Sequence, residues 1–93
     1  MTPVSQLAVS LLGALANQKR LIILSHLFQG ELSVNTLAQK VQLSQSALSQ
    51  HLAKLRAVGI VSTRRDGQTI FYKSVSEDAK TVVEALCKVY SPK

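Results

Sequence analysis

Ninety-three residues, 46% of them hydrophobic, make one small folded domain spanning 1–93 and exclude a disordered chain. Eleven Lys and Arg against five Asp and Glu leave a net charge of +6, which favours polyanionic partners, chiefly nucleic acid or an anionic membrane surface. The single cysteine, Cys87, excludes an internal disulfide and a cysteine metal cluster.

The start, "MTPVSQ", lacks the basic region of a signal peptide. The apolar stretch near Leu7–Leu15 is too short and too interrupted to span a bilayer. The expectation is a cytoplasmic protein with no membrane partner. Val4, Leu7, Ala8, Leu11, Leu12 and Leu15 recur at helical spacing and predict a first helix of about three turns. Asn17 is a suitable N-cap for a second helix that buries Leu21, Ile22, Leu24, Leu27 and Phe28 and stops at Gly30. A short extended link, "ELS", leads to Ser33, which can cap a third helix carrying Val34, Leu37, Ala38 and Val41.

After a turn at Gln42-Leu43, Ser44 caps a fourth helix over 44–57, with Gly59 just past its end. The segment "IVSTRRDGQTIFYKS" reads as a β-hairpin over 60–74. Its arms are rich in β-branched and aromatic residues, and Asp66-Gly67 suits a two-residue turn. Ser76 caps a fifth helix, whose Glu77 and Asp78 complement the helix dipole. The order helix, helix, helix, helix, hairpin, helix is that of a winged helix-turn-helix, mainly α with a small β-hairpin.

Charge is uneven along this order. Between Leu32 and Ser76 stand Lys40, Lys54, Arg56, Arg64, Arg65 and Lys73, opposed only by Asp66. The fourth helix contains "SQSALSQHL", where Leu48, Leu52 and later Leu55 share one face. Its other side is short, neutral and polar. Gln45, Ser46, Ser49 and Gln50 let the helix backbone approach a major-groove floor, where Gln can pair with adenine and Ser can donate or accept. The plainer alternative is a solvated face. The basic hairpin beside it favours the DNA reading, with Arg64 and Arg65 near the tip reaching a phosphate or the minor groove. Lys54 and Arg56 are expected phosphate contacts, or equally C-terminal dipole partners.

The first and fifth helices are amphipathic and lie at the two chain ends, where they either close the monomer core or, since a core this small is not expected to cover both apolar faces, meet a second copy. Leu7, Leu11, Val82, Leu86, Val89 and Tyr90 are therefore candidates for a two-fold interface, which would offer two reading helices to a pseudo-palindromic operator. His26 and His51 lie on separate helices, and no metal-ligand or paired-carboxylate spacing occurs, so neither a metal, a cofactor nor an enzyme activity is expected. His51 is expected to border the packed face of its helix or to touch a phosphate. Cys87 reads as a small buried hydrophobe, with a thiol-responsive role as the alternative. A protein-interaction module is the alternative to DNA binding.

The segments "ANQKRLIIL" and "LSQSALSQHLAKLRAVGIVSTRRDGQTIFY" closely resemble the ArsR/SmtB family of bacterial winged-helix repressors, and within it the branch of NolR-type nodulation regulators. The resemblance implies a homodimer held by the first and last helices. It also implies DNA contact at Gln45, Ser46, Ser49 and Gln50, and wing contact at Arg64 and Arg65. Metal-sensing members carry cysteines in an "ELCVCD"-like segment, where this chain has "ELSVNT", with Ser33 and Asn35 at those places. A sulfide-sensing branch pairs two cysteines at positions matching Ser25 and Ser91 here. Neither switch carries over, and with these departures the sequence reads as a regulator without a recognisable inducer site.

Overall fold

The computed structural model describes residues 4–90. Five helices and three short strands follow in the order α1 (Val4–Leu15), α2 (Gln18–Leu27), β1 (Leu32–Ser33), α3 (Val34–Val41), α4 (Gln45–Ala57), β2 (Val61–Asp66), β3 (Thr69–Ser74) and α5 (Glu77–Tyr90).

Side-chain oxygens set four of the helix starts. Asn17 accepts from the Arg20 amide at 3.1 Å, Ser33 from Thr36 at 3.2 Å, Ser44 from Ala47 at 3.1 Å and Ser76 from Ala79 at 3.0 Å. Such a cap contributes about 1 kcal/mol by satisfying a donor that the helix leaves open. The end of α4 is a Schellman motif. Gly59, at φ +78°, donates to Arg56, and Ile60 donates back to Leu55. Between α3 and α4 the chain turns through Gln42, a non-glycine residue in the left-handed region at φ 57°.

The core is built from Ile23, Leu24, Leu37, Leu48, Leu52, Leu55 and Ile60, all fully buried. Burying each Leu or Ile contributes about 1.5–3 kcal/mol. Three of the seven belong to α4, so its inner face is fixed while its outer face is left free.

The hairpin differs from the sequence expectation in two ways. Asp66 pairs with Thr69, so Gly67 and Gln68 form the turn rather than Asp66 and Gly67. Gly67 takes the positive φ, 65°, at the first turn position, as a tight hairpin with the strands' right-handed twist requires. The "ELS" link also supplies a third strand. Leu32 pairs with Tyr72 and Ser33 with Phe71, giving an antiparallel sheet in the order β1-β3-β2. The wing is thereby anchored to the residue that caps α3.

At the chain ends the apolar surface is only partly covered. Leu7 is 77% exposed and Tyr90 79%, and Val9, Leu12, Leu86 and Val89 are also exposed. Leu11 and Val82, by contrast, pack partly against the protomer's own core. No single helix among the described residues is long and apolar enough to cross a membrane.

Candidate nucleic-acid interface

The outer face of α4 carries Gln45, Ser46, Ser49, Gln50, Lys54 and Arg56, all exposed. The buried leucines behind them hold this polar face outward. Lys54 and Arg56 lie in the last turn, where cations also complement the helix dipole. Gln45 is engaged: its amide donates to Asn35 Oδ1 on α3, across the helix-turn-helix. Ser46, Ser49 and Gln50 make no such side-chain bond among the described residues.

The pleat separates the two wing arginines, because successive strand residues face opposite sides. Arg64 lies opposite Phe71 and Arg65 opposite Ile70. The guanidinium of Arg64 sits 4.3 Å from the Phe71 ring centroid and donates through Nη2 to Glu31 at 2.7 Å. Its hydrogen bonds hold the Glu31 carboxyl below the usual carboxylate range, and Glu31 in turn raises Arg64. Arg65 is exposed and makes no ion pair among the described residues. Among the predicted contacts, Gln45 and Arg64 are thus held by neighbours within the protomer, while Arg65 lies on the other side of its strand.

Sequence reasoning missed three residues that organise this region. Glu31 and Asn35 act through tertiary contacts that local spacing does not announce. Arg20 left a signal. With Ile23, Leu24 and Leu27 it completes an i, i+3, i+4, i+7 stripe, and it is buried like them at 8% exposure. His51 lies on the flank of α4 facing Arg20, with its Nδ1 3.4 Å from the arginine Nη1. Burial, then the charges of Arg20, Lys19 and Lys54, push its pKa below the ordinary imidazole value.

Three of the positions that the resemblance aligns with switch cysteines or their neighbours, Ser25, Ser33 and Asn35, have other work here. Ser33 caps α3, and Asn35 accepts from Gln45. No group of three potential metal-ligating side chains comes together among the described residues. Ser25 donates to the Ile22 carbonyl, and Ser91 lies outside the described residues. Cys87 is exposed, which corrects its expected burial. Only Ala79 and Val83 of α5 are buried, because the helix runs on past the core. Cys87 borders an open, mainly apolar groove of about 530 Å³ between α2 and α5, lined also by Leu21, Ile22, Leu86 and Tyr90.

Residues 17–63 match the bacterial regulatory protein, arsR family. The chain is 54% identical over 86 residues to the nodulation protein NolR of Rhizobium meliloti, covering 92% of this chain and 70% of that protein. It is 52% identical over 83 residues to the transcriptional activator HlyU of Vibrio cholerae, covering 89% of this chain and 77% of that one. Its fold matches the solution structure of the homodimeric winged helix-turn-helix DNA-binding domain of Mb0332 from Mycobacterium bovis with a TM-score of 0.83, at 30% identity, covering 92% of this chain and 80% of that one. The chain belongs to the arsR family of bacterial regulatory proteins and is a winged helix-turn-helix transcriptional regulator, not an enzyme.

Proposed function

We propose that the protein is a homodimeric repressor that occupies a pseudo-palindromic operator, with α4 in the major groove and the wing alongside. The observation that carries this reading is the outer face of α4. Ser46, Ser49 and Gln50 are exposed on a helix whose Leu48, Leu52 and Leu55 are fully buried. A small neutral face brings the helix backbone close to base edges, and charge is supplied at its margins.

Ser46, Ser49 and Gln50 read bases, and Gln45 reads from a position set by Asn35. Lys54, Arg56 and Arg65 neutralise phosphate or enter the minor groove. Arg64 joins them by exchanging Glu31 for phosphate. The exposed apolar residues of α1 and α5, Leu7, Leu86, Val89 and Tyr90, meet their copies in the partner, while Leu11 and Val82 support them from behind. Repression follows from occupying a promoter in the bacterial cytoplasm. Neither a metal nor a cofactor takes part in this reading.

Binding to a random-sequence duplex over a salt series tests it. Log affinity should fall linearly with log salt, with a slope of about −0.9 per phosphate neutralised. No binding even at low salt would favour a protein partner instead.

A further inference from the structure

Arg20 is the one charged side chain buried among the described residues, and no carboxylate there pairs with it. Its charge is met by the end of a helix. The last four carbonyls of an α-helix lack partners inside the helix. In α1 they are Leu12, Gly13, Ala14 and Leu15. Leu12 accepts from the Ala16 amide at 2.9 Å and Leu15 from the Asn17 amide at 2.7 Å. Arg20 takes the other two: Nε donates to Ala14 at 2.5 Å and Nη2 to Gly13 at 3.3 Å. The guanidinium also faces the negative end of the α1 dipole.

The third arm of the fork crosses to α4, where Nη1 meets His51 Nδ1 at 3.4 Å. Arginine only donates, so His51 accepts here through an unprotonated Nδ1. The charged groups near His51 are Arg20 and Lys19 from α2 and Lys54 along α4, all cations, and α1 carries no titratable side chain. One buried side chain therefore spans α1, α2 and α4. A proton on His51 would remove the acceptor and set two cations against each other.

We propose that Arg20 and His51 are positioning residues that register the reading helix α4 on the dimer helix α1, and that the register holds while His51 is neutral. The proposal rests on the roles given above to α1 and α4. Operator discrimination then weakens on acidification, because α4 loses its fixed angle to the two-fold axis.

The test uses the full chain, a duplex enriched by the wild type from a randomised pool, and a scrambled duplex of equal length. Affinities for both are measured from about pH 8 to about pH 5.5. Sedimentation and thermal melts accompany wild type, Arg20→Met, Arg20→Lys, His51→Asn and His26→Asn. The wild type should lose about tenfold in selected-over-scrambled preference across this range, within the span of ordinary coupling energies. His51→Asn, which keeps an acceptor near the Nδ1 position and cannot titrate, should retain the preference and flatten the profile. His26→Asn should keep the wild-type profile. Arg20→Met should lose preference while remaining folded and dimeric, and Arg20→Lys should recover it only in part.

If Arg20→Met does not fold, the His51→Asn profile decides. A wild-type profile in His51→Asn, or full preference in a folded Arg20→Met, overturns the proposal alone. A wild type that binds neither duplex at low salt overturns the DNA reading and this proposal with it.

Discussion

The Glu31 carboxylate grips Arg64 at two points, receiving Nε at 2.9 Å and Nη2 at 2.7 Å, and so ties the wing to the segment leading into β1. Both side chains are solvent-accessible, so the pair contributes little to global stability. Its consequence is positional: Arg64 is fixed over Phe71 while Arg65, on the opposite side of the strand, is free.

Arg65→Ala should therefore reduce the salt slope on random duplex DNA by about one phosphate and weaken all sequences evenly. Glu31→Gln should do the reverse, raising affinity and steepening the slope, because it frees Arg64 and removes a negative charge. Anisotropy titrations over a salt series distinguish the two. A Glu31→Gln protein with weaker binding would show that Arg64 acts only from its paired position.

Base reading should separate by residue on α4. Gln50→Ala should cost about 1–3 kcal/mol on the selected duplex and relax preference at one position. Gln45→Ala should also relax preference, and Asn35→Ala should reproduce part of that effect from a different helix. The double variant should fall short of the sum, because the two side chains form one unit. Unchanged base preference in Gln45→Ala would remove it from the reading set.

The exposed and half-covered members of the proposed dimer surface should behave differently. Leu7→Glu and Val89→Glu alter side chains that the protomer leaves in water, so each subunit should stay folded. Sedimentation should show monomers, with operator affinity lost. Leu11→Glu and Val82→Glu strike residues packed against the protomer's own core and should lower the melting temperature as well. A Val89→Glu protein that remains dimeric would place the interface elsewhere.

Acid sensitivity follows from His51. Its folded pKa lies below the ordinary value of about 6.5, so the unfolded chain binds the proton more readily. The stability due to neutral His51 is fully present above that ordinary value and is lost as pH falls through the lowered one. Melts recorded down to about pH 5 should show the loss, and His51→Asn should reduce it.

The helices were legible because their signals are local. Asn17, Ser33, Ser44 and Ser76 are short polar caps beside apolar periodicities, and each is a cap in the fold. Non-local pairing was not legible. A two-residue strand at Leu32–Ser33 has no periodicity to read, and its partner lies about forty residues away. The turn shift at Gly67 reflects which residue takes the first position, a choice set by register rather than composition. Glu31 and Arg64 are 33 residues apart, and Arg20 and His51 are 31 apart. The outer face of α4 was the most legible part of the site, since it needs only helical spacing and side-chain size.

Selection of bound duplexes from a randomised pool tests the dimeric operator reading most directly. The wild type should enrich two inverted half-sites whose centres lie about 10 base pairs, or a multiple of that, apart. Gln50→Ala should relax the same position in both. Enrichment of one unrepeated half-site, or of no sequence at all, would contradict it.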